Sequence, residues 1–128
     1  MPTEFTFTLI NTPGVLAELG SALGSKGINI KALVALSLGQ KADLHLVVDD
    51  AEAAARELEA YGVTFRRREV LELPIQDKPG ALGTLADAVA DAGANIDAAY
   101  LTVSGSIILA VNDAAEAGAI ARRLGIRI

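Results

Sequence analysis

The polar residues suited to holding a small charged ligand cluster at two turns. Residues 11–16 read NTPGVL and residues 77–82 read DKPGAL; each stretch follows an alternating apolar run and precedes an apolar pattern of helical spacing. A helix starting there presents backbone N–H groups without intrahelical acceptors, and the positive end of its dipole, which together suit a carboxylate. Gly14 and Gly80 have no side chain, so a ligand can approach the main chain closely. The amides of Val15 and Leu16, and of Ala81 and Leu82, are the expected donors. Asn11 both donates and accepts, whereas ionised Asp77 only accepts. Asp77 suits an ammonium and repels a carboxylate. Two sites of unequal affinity are therefore expected, with Asn11 the better neighbour for a carboxylate. A second polar pair, Asn29 and Asn95, leads into Ile30 and Ile96. All of these residues also have ordinary uses in turns, caps and strand starts, and on sequence alone both uses stand open.

The rest of the chain offers little for covalent or metal chemistry. It has no cysteine, and its one histidine, His45, alternates with apolar neighbours in LHLVVDD, as a sheet-face or interface residue does. A lone histidine makes no usual zinc site, and no serine has a recognisable base beside it. No catalytic residue, metal or cofactor is expected. The run GSALGSKG (20–27) lies inside a helical pattern and lacks the Gly-Lys-Ser/Thr order of a phosphate loop. Gly20 and Gly24 within it are expected to let the helix pack closely on a sheet. Arg66-Arg67-Arg68 reads as a charged edge strand. The net charge of −5 speaks against nucleic acid and anionic membrane surfaces as partners. The start, MPTEFTFTLI, resembles no signal peptide, and no run reaches the ~18 apolar residues of a membrane span. A cytoplasmic protein is expected. A hydrophobic content of 52% is more than a small core needs, which points to a homo-oligomer, most simply a dimer.

The elements that must position the turns also occur twice. At a spacing of 66 residues, Pro13-Gly14 matches Pro79-Gly80, Gly27 matches Gly93, and Asn29-Ile30 matches Asn95-Ile96. At a spacing of 63, LHLVVDD (44–50) matches IILAVND (107–113). The connection around residues 37–43 is thus expected to be three residues longer than its counterpart near 104–106. TEFTFTLI (3–10) alternates as a strand. Thr12-Pro13 fits an N-cap followed by proline at the first helical position. Gly27 ends that helix. Residues 28–38 and 42–49 read as strands, Asp49 to Glu52 as a capping box, and 63–73 as strand. The second half runs strand 70–76, helix 80–92, strands 95–103 and 106–112, a capping box Asp113 to Glu116, helix 114–124 and a strand from Ile126. The order is βαββαβ, twice. The expected fold is α+β: two ferredoxin-like units, 1–68 and 69–128, each a four-stranded antiparallel sheet with two helices on one face.

Strand, then [N/D]-x-P-G-x-L into a helix, then G-x-N-I or G-A-N-I into a strand, resembles the ACT domain, and it does so in both halves. The resemblance implies a regulatory protein that binds a small molecule, usually an amino acid, near these turns and at an interface between ACT units. It assigns ligand contact to Asn11, Pro13, Gly14, Val15, Leu16, Asn29 and Ile30, and to Asp77, Pro79, Gly80, Ala81, Leu82, Asn95 and Ile96. If the halves pair about a pseudo-twofold axis, Asn11 is expected to face Asn95, and Asp77 to face Asn29. A different role is an interaction subunit that binds a metabolic enzyme or regulator without a ligand of its own.

Overall fold

The computed structural model describes residues 1–125. The elements are β1 (Thr3–Ile10), α1 (Val15–Ser25), β2 (Ile30–Leu38), β3 (Lys41–Val48), α2 (Ala51–Ala60), β4 (Phe65–Glu69), β5 (Leu71–Pro74), α3 (Ala81–Asp91), β6 (Ile96–Leu101), β7 (Ser106–Val111) and α4 (Ala114–Arg123). Chain contacts divide them into a first unit, Thr3–Arg68, and a second unit running from Glu69 together with Met1–Pro2. Val70 alone separates β4 from β5, and its N–H donates to the Pro2 carbonyl at 3.0 Å.

In the first unit the strand order is β2-β3-β1-β4. Alternation in β1 sends Phe5 and Phe7 to one face, where they stand opposite Leu46 and Leu44 of β3. Leu19 and Leu23 of α1, and Ala54, Ala55 and Leu58 of α2, join them in one core, so both helices cover the same face. Phe65 of β4 meets Phe5 edge-on, with ring centroids 5.3 Å apart. Fully burying one such Leu or Phe contributes roughly 1.5–3 kcal/mol.

The second unit has the sheet order β5-β7-β6. Leu71 and Leu73 stand opposite Leu109 and Ile107, and pack with Val89 of α3 and Ala117, Ile120 and Ala121 of α4. The same local irregularity marks both copies, a register shift between Ile30 and Ala32 and another between Ile96 and Ala98. The expected strand from Ile126 lies outside the described residues. Among the described residues, no helix is long and apolar enough to cross a membrane.

Four local expectations are corrected. The α1 N-cap is Gly14, not Thr12, and the α2 N-cap is Asp50, whose side chain accepts from the Ala53 N–H. Asp49 instead accepts from the Asn29 N–H at 2.9 Å, so the neighbouring acids serve different elements. A Cβ added at Gly20 or Gly24 would meet nothing within 4 Å, so neither glycine marks a close approach. The three additional residues of the first unit do not lengthen a loop. They lengthen the hairpin arms: β2 and β3 have 9 and 8 residues, β6 and β7 have 6 each. Only Gly39 and Gln40 join β2 to β3, whereas residues 102–105 join β6 to β7.

Candidate functional site

Both turns are built alike, and proline and glycine explain the geometry. Proline fixes φ near −65° at the first central position, and the second needs a positive φ that only glycine adopts cheaply. Gly14 has φ 88° and ψ −8°, and Gly80 has φ 85° and ψ −8°. The Val15 N–H donates to the Thr12 carbonyl at 3.2 Å, and the Ala81 N–H to the Lys78 carbonyl at 3.3 Å. These are type II turns running into helices. They correct the expected donor set, because the Val15 and Ala81 amides are engaged within the turn. The next amides, Leu16 and Ala17 in α1 and Leu82 and Gly83 in α3, lack intrahelical acceptors, as the second and third residues of any helix do.

Under each helix start lies a cavity lined by equivalent residues. In the first unit Leu9, Asn11, Val15, Leu16, Ala35, Ser37, Ala42 and Leu44 enclose about 160 Å³. In the second, the cavity is about 560 Å³, with Ile75, Leu82, Leu101 and Ile107 as apolar walls and Asp77, Lys78 and Thr102 as polar members. The longer β2–β3 hairpin accounts for the difference. It runs out past β1, pairing Ile10 with Lys41, and the Asn11 N–H donates to the Gln40 carbonyl at 2.8 Å. Asn11 Nδ2 then donates to Ser37 Oγ at 3.0 Å, which ties the side chain across the cavity. The residue 66 positions after Ser37 is Val103, which has no hydroxyl to offer Asp77. The β6–β7 hairpin, with its shorter arms, is held differently. Thr102 Oγ1 accepts from the Ser106 N–H at 3.1 Å, and Ser106 Oγ donates to Glu72 Oε2 at 2.7 Å.

The remaining expected contacts lie elsewhere within each unit. Asn29 and Ile30 are at the start of β2, while Asn11 is beside its end. The 8 residues of β3 that run alongside cover roughly 25 Å at about 3.3 Å per residue. Asn11 and Asn29 of one unit therefore do not reach one small ligand. Asn95 and Ile96 have the same position at the start of β6. Ile30 and Ile96 pack against the two cores, a structural use that competes with the ligand contact expected of them. Pro13, Gly14, Pro79 and Gly80 shape the turns and do not line either cavity.

Sequence reasoning missed Ser37, which only the hairpin register brings to Asn11. It also missed a buried charge. Glu4 is fully buried; its Oε1 accepts from Arg68 Nε at 2.8 Å, and its Oε2 lies 3.1 Å from His45 Nδ1. An acid next to Phe5 in an alternating strand was the available clue. Asp43, Asp49 and Asp50 have three separate jobs: accepting from Thr8 Oγ1, from the Asn29 N–H and from the Ala53 N–H.

Two βαββ frames, with a Pro-Gly turn at the start of α1 and of α3, have the architecture of the ACT fold. No family model matches the sequence, and no curated protein matches it significantly. Solved structures do match. Protein BT0572 from Bacteroides thetaiotaomicron superposes with a TM-score of 0.84 at 18% identity, covering 97% of this chain and 88% of that one. The ligand-free regulatory subunit of aspartate kinase from Thermus thermophilus gives 0.74 at 22% identity, covering 97% and 90%. A structure of aspartokinase alpha and beta subunits gives 0.69 at 15% identity, covering 96% and 89%. At these identities the likeness is one of fold: the chain shares its architecture with ACT-domain regulatory proteins.

Proposed function

We propose that this chain is a regulatory protein that binds a small zwitterion, an α-amino acid, in the cavity of the second unit. One observation carries the assignment: a cavity of about 560 Å³ with apolar walls and one acid and one base, Asp77 and Lys78, in its lining. That volume lies within the ~300–1,000 Å³ of ordinary ligand pockets, whereas the equivalent 160 Å³ cavity beside Asn11 does not. Asp77 accepts from the ligand ammonium. The Leu82 and Gly83 amides and Lys78 receive the carboxylate. Ile75, Leu101 and Ile107 receive an apolar side chain. The order of affinity is thus the reverse of the sequence expectation, because the Asn11 amide is spent on Ser37. Binding regulates by favouring whichever conformation or assembly closes the pocket mouth.

An interaction role has its own support. Leu82, Leu101 and Val103, at or beside the second cavity, are 56%, 64% and 80% exposed. Such an apolar rim fits a protein partner, an enzyme or a second copy. The regulatory subunit of an enzyme, aspartate kinase, is among the fold neighbours.

A thermal-shift screen of the twenty amino acids tests the proposal. At 100 times Kd a ligand stabilises by about 2.7 kcal/mol, a readily measured shift. Asp77→Asn should weaken the best hit by about tenfold or more, since it removes a charge-assisted hydrogen bond. A flat screen at millimolar concentrations, or a hit indifferent to Asp77→Asn, would refute the assignment.

A further inference from the structure

The sheet of the first unit has a second face, turned away from α1 and α2. Strand alternation sends to it Glu4, Thr6 and Thr8 of β1, Asp43 and His45 of β3, and Arg66 and Arg68 of β4. Thr6 stands directly opposite His45. A cavity of about 380 Å³ lies on this face, lined by Thr6, His45, Arg66, Arg67 and Arg68, with no carboxylate in its lining.

Several of these charges are already engaged. Arg67 Nη2 donates to Glu52 Oε1 at 2.8 Å, and its guanidinium lies 5.9 Å from the Phe5 ring centroid, towards the helix-covered face. Arg68 and His45 both bond Glu4, which presents one negative charge. Asp43, further along, accepts from Thr8 Oγ1 at 3.0 Å. Arg66 is exposed and, among the described residues, has no ion pair. On the face as a whole Glu4 and Asp43 balance Arg66 and Arg68, and Asp43 lines a second cavity of about 860 Å³ that Thr6, His45 and Arg66 also border. At the smaller cleft the guanidinium left without an ion pair, among the described residues, is that of Arg66. The donors there are a guanidinium fork and a hydroxyl, backed by a second arginine and an imidazole. Planar guanidinium forks match the oxygens of phosphate in two parallel hydrogen bonds.

We infer that this cavity binds a small tetrahedral oxyanion, free or carried as the phosphate group of a small ligand, with Arg66 and Thr6 as its direct contacts. Glu4 is the positioning residue behind them. By holding Arg68 and His45 against the sheet, it keeps them at the back of the cleft.

Amide chemical shifts of the whole chain, followed during titration with sodium phosphate at ionic strength held constant with sodium chloride, test this. Saturable shifts centred on Thr6, His45 and Arg66 are expected. Arg66→Ala should weaken them by about tenfold or more, and Arg66→Lys, which keeps the charge and loses the fork, by less. Asp77→Asn should leave them unchanged, which separates this site from the one proposed above. Sodium acetate should bind more weakly than phosphate. A phosphomonoester that binds more tightly than phosphate supports a carried group, and equal binding supports the free ion. Shifts that follow ionic strength alone, or an Arg66→Ala variant that binds as the wild type does, would overturn the inference.

Discussion

Two glycines of the first unit should respond to the same substitution with opposite signs. Gly14 has φ 88°, in the left-handed region, and a Cβ there would meet nothing within 4 Å. Gly14→Ala therefore introduces no clash, only the backbone penalty of about 1–2 kcal/mol for an L-residue in that region. Restricting the unfolded chain returns roughly 0.4–1 kcal/mol, so the net loss is about 0–1.6 kcal/mol, centred on ~0.8 kcal/mol. Gly20 lies inside α1, has no positive φ, and also has open space around a built Cβ. Gly20→Ala should stabilise by about 0.5–1 kcal/mol, the propensity difference between the two residues in a helix. The two variants should thus differ by roughly 0.5–2.6 kcal/mol, centred on ~1.5 kcal/mol. Urea unfolding followed by circular dichroism measures this. With a slope of ~1–3 kcal/mol per molar, a central difference of ~1.5 kcal/mol separates the midpoints by about 0.5–1.5 M. Both sites belong to one unit, so the comparison holds whether or not the two units unfold together. Gly80, with φ 85°, should copy Gly14. Midpoints moving the same way for Gly14→Ala and Gly20→Ala would show that turn geometry is not what requires glycine at position 14.

Two further outcomes follow from the packing. Glu4→Gln removes the charge that Arg68 and His45 share and should cost about 1–3 kcal/mol; since Arg68 and His45 are 36% and 27% exposed, the lower half of that range is expected. A urea midpoint equal to that of the wild type would remove Glu4 as an organising residue. Asp50→Ala and Asp113→Ala each delete an N-cap acceptor, at 3.1 Å from the Ala53 N–H and 2.6 Å from the Glu116 N–H, and should each cost about 1 kcal/mol in the same assay.

Much of the architecture was legible because it rests on local rules. Alternation in TEFTFTLI, leucines at helical spacing and glycines past helix ends each report on a few neighbouring residues. The duplication made each assignment twice testable. Local rules also misled where two residues competed for one role. Thr12 and Gly14 both suit a helix start, and Asp49 and Asp50 both suit a cap. Only the observed turn and the Asn29–Asp49 bond decide between them.

The candidate sites divide along the same line. That there are two Pro-Gly turns, that each opens a helix, and that one begins with an amide and the other with a carboxylate were all determined by sequence alone. How much space lies beside Asn11 and beside Asp77 was not. The three additional residues were visible, but whether they extend a loop or the strands depends on pairing with β1, a contact between segments more than thirty residues apart. That pairing brings Ser37 to Asn11 and narrows one cavity to 160 Å³, while its counterpart stays at 560 Å³. The burial of Glu4 between His45 and Arg68 is of the same kind, because its partners lie 41 and 64 residues away. Short-range sterics and hydrogen bonding set the turns and helices. Cavity volume and charge pairing are properties of surfaces that only the folded chain brings together.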